Sequence, residues 1–192
     1  MKLSRLLRSE DARQTLDLTL RLTQRSVSSE FKGTALGRLW SFINPLATIA
    51  IFALIFGVVF RGGVEPGRNS GINSFALWIG IGVLSWTFFS SGIMSSMNAL
   101  VSNSGLLTKV YFPRQVLIYS AVLSLAVDFA FELLVLIIIA MIMGGPGVFL
   151  MIPALLVVTL LAGMFAVGLG LILSVATVYF RDLGHLWQIF NQ

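Results

Sequence analysis

Cysteine is absent from the 192 residues, histidine occurs once, and Asp, Glu, Lys and Arg together make up only 11% of the chain. Without thiols there is no disulfide framework, no thiolate metal site and no cysteine nucleophile. The one histidine, His185, has no second metal-ligand type beside it, so neither a metal site nor a catalytic constellation is expected. No Gly-x-x-x-x-Gly-Lys-Ser/Thr run occurs, which excludes a phosphate loop; Gly168-Leu-Gly170 lies inside an apolar run and leads to Leu173, so it is no nucleotide loop either. The start of the chain lacks the short apolar core and small-residue cleavage site of a secretory signal. The charge deficit is the largest departure, because soluble domains carry about 25% charged residues.

What fills the chain instead is apolar: 57% hydrophobic residues and a mean hydropathy of +0.92. These residues gather in blocks that reach the roughly 20 positions a helix needs to cross a bilayer. Spans are expected at about 40–60, 75–97, 116–143 and 148–178, which gives an all-α membrane protein with four transmembrane helices in one domain, 40–180. Pro45 stands near the start of the first block, where a helix tolerates it. Arg61 to Asn73 reads as a loop outside the membrane, and Gly144-Gly145-Pro146-Gly147 as a tight turn that sends the fourth span back antiparallel to the third. Gly92 and Ser96 on the second span, and Ala166, Gly170 and Ser174 on the fourth, form rows of small side chains that let helices approach closely.

Residues 1–39 are polar but patterned. Arg13, Asp17, Arg21 and Arg25 recur every four residues, and Leu16, Leu20 and Val27 share another face, which predicts an amphipathic interfacial helix meeting headgroups with its cations and the acyl boundary with its leucines. An ordinary solvated helix docked on a partner fits the same pattern. Eleven Lys and Arg fall in the N-terminal segment, the loop after the second span and the 181–192 tail, against Arg61 and Arg68 alone on the other side. That bias places the N-terminus, and after four crossings the tail, in the cytoplasm. The net charge of +5 therefore reflects orientation in a membrane rather than affinity for nucleic acid.

Within the loop after the second span, Lys109, Tyr111, Phe112, Pro113 and Arg114 combine aromatics, cations and a proline. Two readings stay open on composition: a protein-docking hot spot, or an anchor with its rings in the headgroup layer and its cations snorkelling. Asp128 and Glu132 stand four apart, hence on one helix face, inside the third apolar block, where charge is costly. They fit a proton carrier, a polar lining for a sugar path, or packing residues satisfied by neighbouring helices. Trp40, Trp78 and Trp86 suit an interfacial belt, helix packing, or stacking on sugar rings in a conduit.

Four stretches, in order, resemble one family. Phe31-Lys-Gly-Thr-Ala-Leu-Gly-Arg-Leu-Trp40-Ser-Phe-Ile-Asn-Pro45, Trp86-Thr-Phe-Phe-Ser, Lys109-Val-Tyr-Phe-Pro-Arg114 and Val178-Tyr-Phe-Arg-Asp182 are similar to segments of ABC-2 type permeases that export polysaccharide, across essentially the whole chain. The resemblance implies a homodimeric permease of a bacterial or archaeal plasma membrane, itself no enzyme. Two cytoplasmic ATPase subunits would bind ATP and Mg, and the cargo would be a lipid-linked glycan such as O-antigen, teichoic acid, capsule or galactan. It assigns the ATPase-coupling role to Lys109, Tyr111, Phe112, Pro113 and Arg114, and a second cytoplasmic contact to Arg181 and Asp182. With ATP as the energy source, Asp128 and Glu132 need carry no proton relay. Relatives continue with two more membrane helices and a re-entrant segment, so this chain is expected to be C-terminally shortened against the family's six spans. Export of drugs or lipids, an intramembrane acid–base enzyme built on Asp128 and Glu132, and a non-transporting assembly subunit are the competing readings.

Overall fold

The computed structural model describes residues 2–30, 36–59, 74–107 and 113–191. Among these every regular element is helical. Helix α1 runs Lys2–Glu30, α2 Trp40–Phe52, α3 Phe75–Ser102, α4 Ser104–Leu107, α5 Gln115–Gly144, α6 Ile152–Tyr179 and α7 Leu183–Phe190. Among the described residues three apolar stretches are long enough to span a bilayer, Leu77–Ser102, Gln115–Met143 and Ile152–Tyr179; a shorter one, Trp40–Phe56, falls within the first expected span, 40–60. The loop expected at 61–73 lies outside the described residues.

Local chemistry sets several boundaries. Gly37 takes φ +53°, a left-handed conformation that glycine adopts without penalty, and a short 3-10 turn, Gly37–Leu39, then leads into α2. Pro45 is the sixth residue of α2, past the first turn, where its missing N–H withholds the usual donor from the carbonyl of Ser41. Beyond Phe52 the helix widens into a π-helical stretch, Ala53–Val59. The fourth span starts later than expected: Gly145–Met151 is 3-10 helix, and α6 begins at Ile152, with Pro153 in its first turn.

The chain divides into two compact units, and the long helices contribute to both. One consists of Met1–Glu30, Phe89–Ala126 and Gly163–Gln192. Its core holds Ile93, Met97 and Ala166, with Phe89, Leu169, Leu173, Leu183 and Trp187 packed around them. Here the two rows of small residues meet. A Cβ on Gly92 would stand 3.3 Å from that of Ala166, and one on Gly170 would collide with Cβ and Oγ of Ser96. Ser96 satisfies its hydroxyl by donating to the carbonyl of Gly92 at 2.7 Å, so the contact surface presents no unpaired polar group there.

Helix α1 packs on this unit by a side other than the expected leucine stripe. Thr19 and Thr23 are buried and donate to the carbonyls of Thr15 and Thr19, both at 2.8 Å, while Leu22 joins the cluster of Ala99, Leu117 and Ile118. Leu16 and Leu20 are 63% and 50% exposed, and Val27 is half-buried. The reason is spacing: Leu16, Leu18, Leu20 and Leu22 follow one another at intervals of two, which distributes them around a helix instead of on one face. The charged face is as expected: Arg13, Asp17, Arg21 and Arg25 are exposed, and Arg21 Nε donates to Asp17 Oδ2 at 2.8 Å. That hydrogen bond, with the carboxylate's charge, raises the Arg21 guanidinium above its ordinary value.

The second unit consists of Phe31–Phe88 and Val127–Ala162. Leu77, Ala140 and Val148 form one small core, flanked by Ile81, Ile139 and Met141. Aromatic pairs join its helices. Phe88 stacks on Phe129 with centroids 4.6 Å apart, and Phe42 meets Phe131 edge-on at 5.7 Å. Helices α2 and α3 touch at Gly80, where a Cβ would lie 3.1 Å from Ile49 Cγ1.

Candidate functional site

The end of α3 and the start of α5 build a polar platform on an apolar base. Asn103 breaks α3: its carbonyl accepts from the N–H groups of Leu106 and Leu107, at 2.9 and 3.1 Å, and its Nδ2 donates to the carbonyl of Ala99 at 2.9 Å. The single turn of α4 that follows drives Leu106 and Leu107 onto Ala99, Leu117 and Ile118, beside Leu22 of α1. At the far side of the loop the carbonyls of Pro113 and Arg114 accept from Val116 and Leu117, at 3.1 and 3.2 Å, and so form the first turn of α5. Both ends of the loop, and α1 with them, are thus fixed to one apolar cluster.

Of the five residues expected to couple to an ATPase, Pro113 and Arg114 are exposed on this platform. Lys109, Tyr111 and Phe112 lie outside the described residues. Arg181 and Asp182, the expected second contact, occupy an exposed turn between α6 and α7. The carbonyl of Asp182 accepts from Leu186 at 3.1 Å, so Asp182 opens α7 through its backbone.

Helix α7 stands where the sequence predicts only a tail, 181–192. Leu183 and Trp187 pack on the Ile93–Met97–Ala166 core, the indole Nε1 of Trp187 donates to the carbonyl of Ser90 at 3.2 Å, and a Cβ on Gly184 would lie 3.8 Å from Met94 Cε. As α7 advances from 184 to 187 its contacts on α3 recede from 94 to 90, so the two helices run antiparallel. The available signal was the Leu183–Leu186–Trp187–Phe190 spacing, which is one face of a helix.

Asp128 and Glu132 lie on α5 in the second unit, each partly buried. Both carboxylate oxygens of Asp128 are buried without a hydrogen-bond partner among the described residues, as is the hydroxyl oxygen of Ser41. No group of three or more His, Cys, Asp or Glu among the described residues is arranged to hold a metal ion. Trp40 and Trp86 are 39% and 47% exposed, which fits surface aromatics of a membrane domain.

A sequence profile described as ABC-2 type transporter matches residues 17–192. The chain belongs to the ABC-2 type transporter family. It is 32% identical over 171 residues to the O-antigen export system permease protein RfbA of Myxococcus xanthus, an alignment that covers 88% of this chain and 62% of that relative. Two proteins of the same name from Klebsiella pneumoniae are 25% and 26% identical over 167 residues, covering 87% of this chain and 61% of each. The chain therefore spans about three-fifths of the length of these relatives. The family and the apolar helices make it an integral membrane protein of a transporter.

Proposed function

We propose that this chain is the membrane-spanning permease part of an ATP-driven exporter that carries polysaccharide or lipid-linked glycan across the inner or plasma membrane. The observation that carries the reading is the similarity to O-antigen export permeases over 88% of the chain. In this reading the permease works as a homodimer with two copies of a separate ATPase, which binds ATP and Mg and performs the hydrolysis; the permease itself is no enzyme. The excess of Lys and Arg supports a cytoplasmic N-terminus.

The platform is where the ATPase would sit. Arg114 supplies an exposed cation, and the adjoining Lys109, Tyr111, Phe112 and Pro113 supply the aromatic and basic composition of a docking hot spot. Arg181 and Asp182 would make the second contact. Because α1, α4 and the first turn of α5 share one apolar cluster, a push on the loop would reach α3 and α5 together. ATP would drive the cycle by binding one arrangement of the complex better than the other. Asp128, Glu132, Trp40 and Trp86 would line or flank the path of the cargo.

Co-purification tests the docking step. Tyr111→Ala combined with Arg114→Ala is expected to reduce the ATPase recovered with the tagged permease while leaving the permease's own yield intact. Unchanged recovery, together with unchanged glycan at the cell surface, would remove the coupling role from this loop. Surface glycan left intact after deletion of the gene would favour drug or lipid export instead.

A further inference from the structure

Two side chains of the second unit bury polar oxygens that have no hydrogen-bond partner among the described residues: the carboxylate of Asp128 on α5, and the hydroxyl of Ser41 on α2, a residue only 5% exposed. Contacts between the helices fix their relative heights. Phe88 stacks on Phe129, and Leu77 shares a cluster with Ala140, so α3 and α5 run antiparallel, with 88 level with 129 and 77 with 140. Phe42 meets Phe131, and Ile49, seven residues on, meets Gly80, which that register sets opposite Ile137. Helix α2 thus runs parallel to α5, and Ser41 stands level with Ala130, about 3 Å from Asp128 along the axis at the helical rise of about 1.5 Å per residue.

Direction agrees with height. At about 100° per residue, Asp128 lies around α5 between Phe129, which faces α3, and Phe131, which faces α2; Glu132 falls in the same arc. On α2 the buried residues are Ser41 and Pro45, four apart on one face, while Asn44, Leu46 and Ala47 are exposed. Both unpartnered groups are therefore turned into the angle between the same three helices. Ser41 carries a second oxygen, the backbone carbonyl from which Pro45 withholds the usual donor.

We propose that Asp128 and Ser41 bind a monovalent alkali cation between α5 and α2. The donor set selects the class. Carboxylate, hydroxyl and freed carbonyl are all oxygen, the ligand of hard cations, whereas transition metals favour sets that include nitrogen or sulfur. Asp128 supplies one buried negative charge, which a single positive charge neutralises, and a buried charge is tolerated when it is paired or metal-bound. Calcium would call for about six to eight oxygens. The Phe88–Phe129 and Phe42–Phe131 ring pairs flank the carboxylate on either side of α5, an apolar setting in which opposite charges attract more strongly than in water. Such a site needs no trio of acidic or histidine ligands, because freed carbonyls of interrupted membrane helices serve an alkali cation as well.

The inference rests on the geometry of the second unit alone, so it stands or falls apart from the export reading. The full chain, purified in detergent at fixed pH and ionic strength, is unfolded thermally in the chlorides of sodium, potassium and N-methyl-D-glucamine, and its retention of radiolabelled sodium is measured. Sodium or potassium is expected to raise the unfolding temperature over N-methyl-D-glucamine by roughly 3–6 °C at ten times the dissociation constant. Retained sodium should saturate at about one ion per chain. Asp128→Asn is expected to lose both effects, and Ser41→Ala to need about tenfold more cation for the same rise. Asp17→Asn, on the exposed face of α1, should keep both. Without alkali cation Asp128→Leu is the more stable protein, and saturating cation should narrow or reverse that difference. Should Asp128→Asn fail to purify, Ser41→Ala and Asp128→Leu carry the test. No rise in either alkali chloride, sodium retention that does not saturate, or effects that Asp128→Asn keeps would each overturn the proposal.

Discussion

The indole of Trp187 donates its N–H to the backbone carbonyl of Ser90, 3.2 Å away and 97 residues earlier in the chain. One hydrogen bond thereby fixes α7 along α3, while Leu183 and the Trp187 ring add apolar contact with Ile93 and Met97. Trp187→Phe keeps most of the ring and is expected to cost about 0.5–1.5 kcal/mol, the net worth of a hydrogen bond. Trp187→Ala removes the packing as well and should cost more. Limited proteolysis at the Arg181–Asp182 turn, expected to quicken in the order wild type, Phe, Ala, checks the ranking; equal rates for all three would show that the indole does not anchor α7.

The meeting of Gly170 with Ser96 makes a second, sharper expectation. A methyl group at 170 collides with Ser96 Cβ and Oγ, and both helices are fixed by long apolar contacts. Gly170→Ala is therefore expected to destabilise by about 1–3 kcal/mol, as over-packing does. Gly92→Ala, which meets Ala166 Cβ at 3.3 Å, should be milder, and Gly168→Ala, which meets nothing within 4 Å, should be neutral. Adding Ser96→Gly to Gly170→Ala should restore part of the loss. Thermal unfolding of the purified variants checks all four, and a Gly170→Ala protein as stable as Gly168→Ala would contradict this packing.

Asp128 separates stability from function. Its two buried oxygens lack partners among the described residues, and a buried polar group left unpaired costs about 1–3 kcal/mol. Asp128→Leu is expected to raise the unfolding temperature of the permease and to lower glycan export, if the carboxylate serves the cargo path. A stability unchanged or reduced by Asp128→Leu would mean that the carboxylate is satisfied in the native state.

Arg114 behaves oppositely, because its side chain is exposed and only its backbone carbonyl joins the first turn of α5. Arg114→Ala should leave thermal unfolding unchanged and reduce ATPase recovery. Leu106→Ala and Leu107→Ala, which remove packing beneath the platform, should lower both. Loss of stability in Arg114→Ala would assign the side chain a structural role instead.

Much of this architecture is legible in the sequence because the bilayer imposes long apolar runs. Three long apolar helices and a shorter one, and the two rows of small residues at Gly92–Ser96 and Ala166–Gly170–Ser174, follow from composition and spacing; what spacing leaves open is that these rows meet each other. The inward face of α1 is hidden because its leucines recur at intervals of two, so that threonines whose hydroxyls bond the preceding turn complete the buried side. Helix α7 is hidden for another reason: its periodic signal, Leu183–Leu186–Trp187–Phe190, is confined to eight residues, and its anchor, a backbone carbonyl, has no sequence signature. The late start of α6 follows from Pro153, which suits a first turn better than an interior. In the candidate site, residue type fits a docking loop or a headgroup anchor alike, and the apolar cluster that ties Leu22, Leu106 and Leu117 beneath it depends on packing between distant segments.

Transport by inverted membrane vesicles measures export most directly. Vesicles from cells that carry the gene and its ATPase partner are expected to take up lipid-linked glycan when ATP is added, to ignore an imposed pH gradient, and to lose uptake when the gene is deleted. Uptake that persists without the gene, or that follows the pH gradient and not ATP, would contradict the assignment of this chain to an ATP-driven glycan exporter.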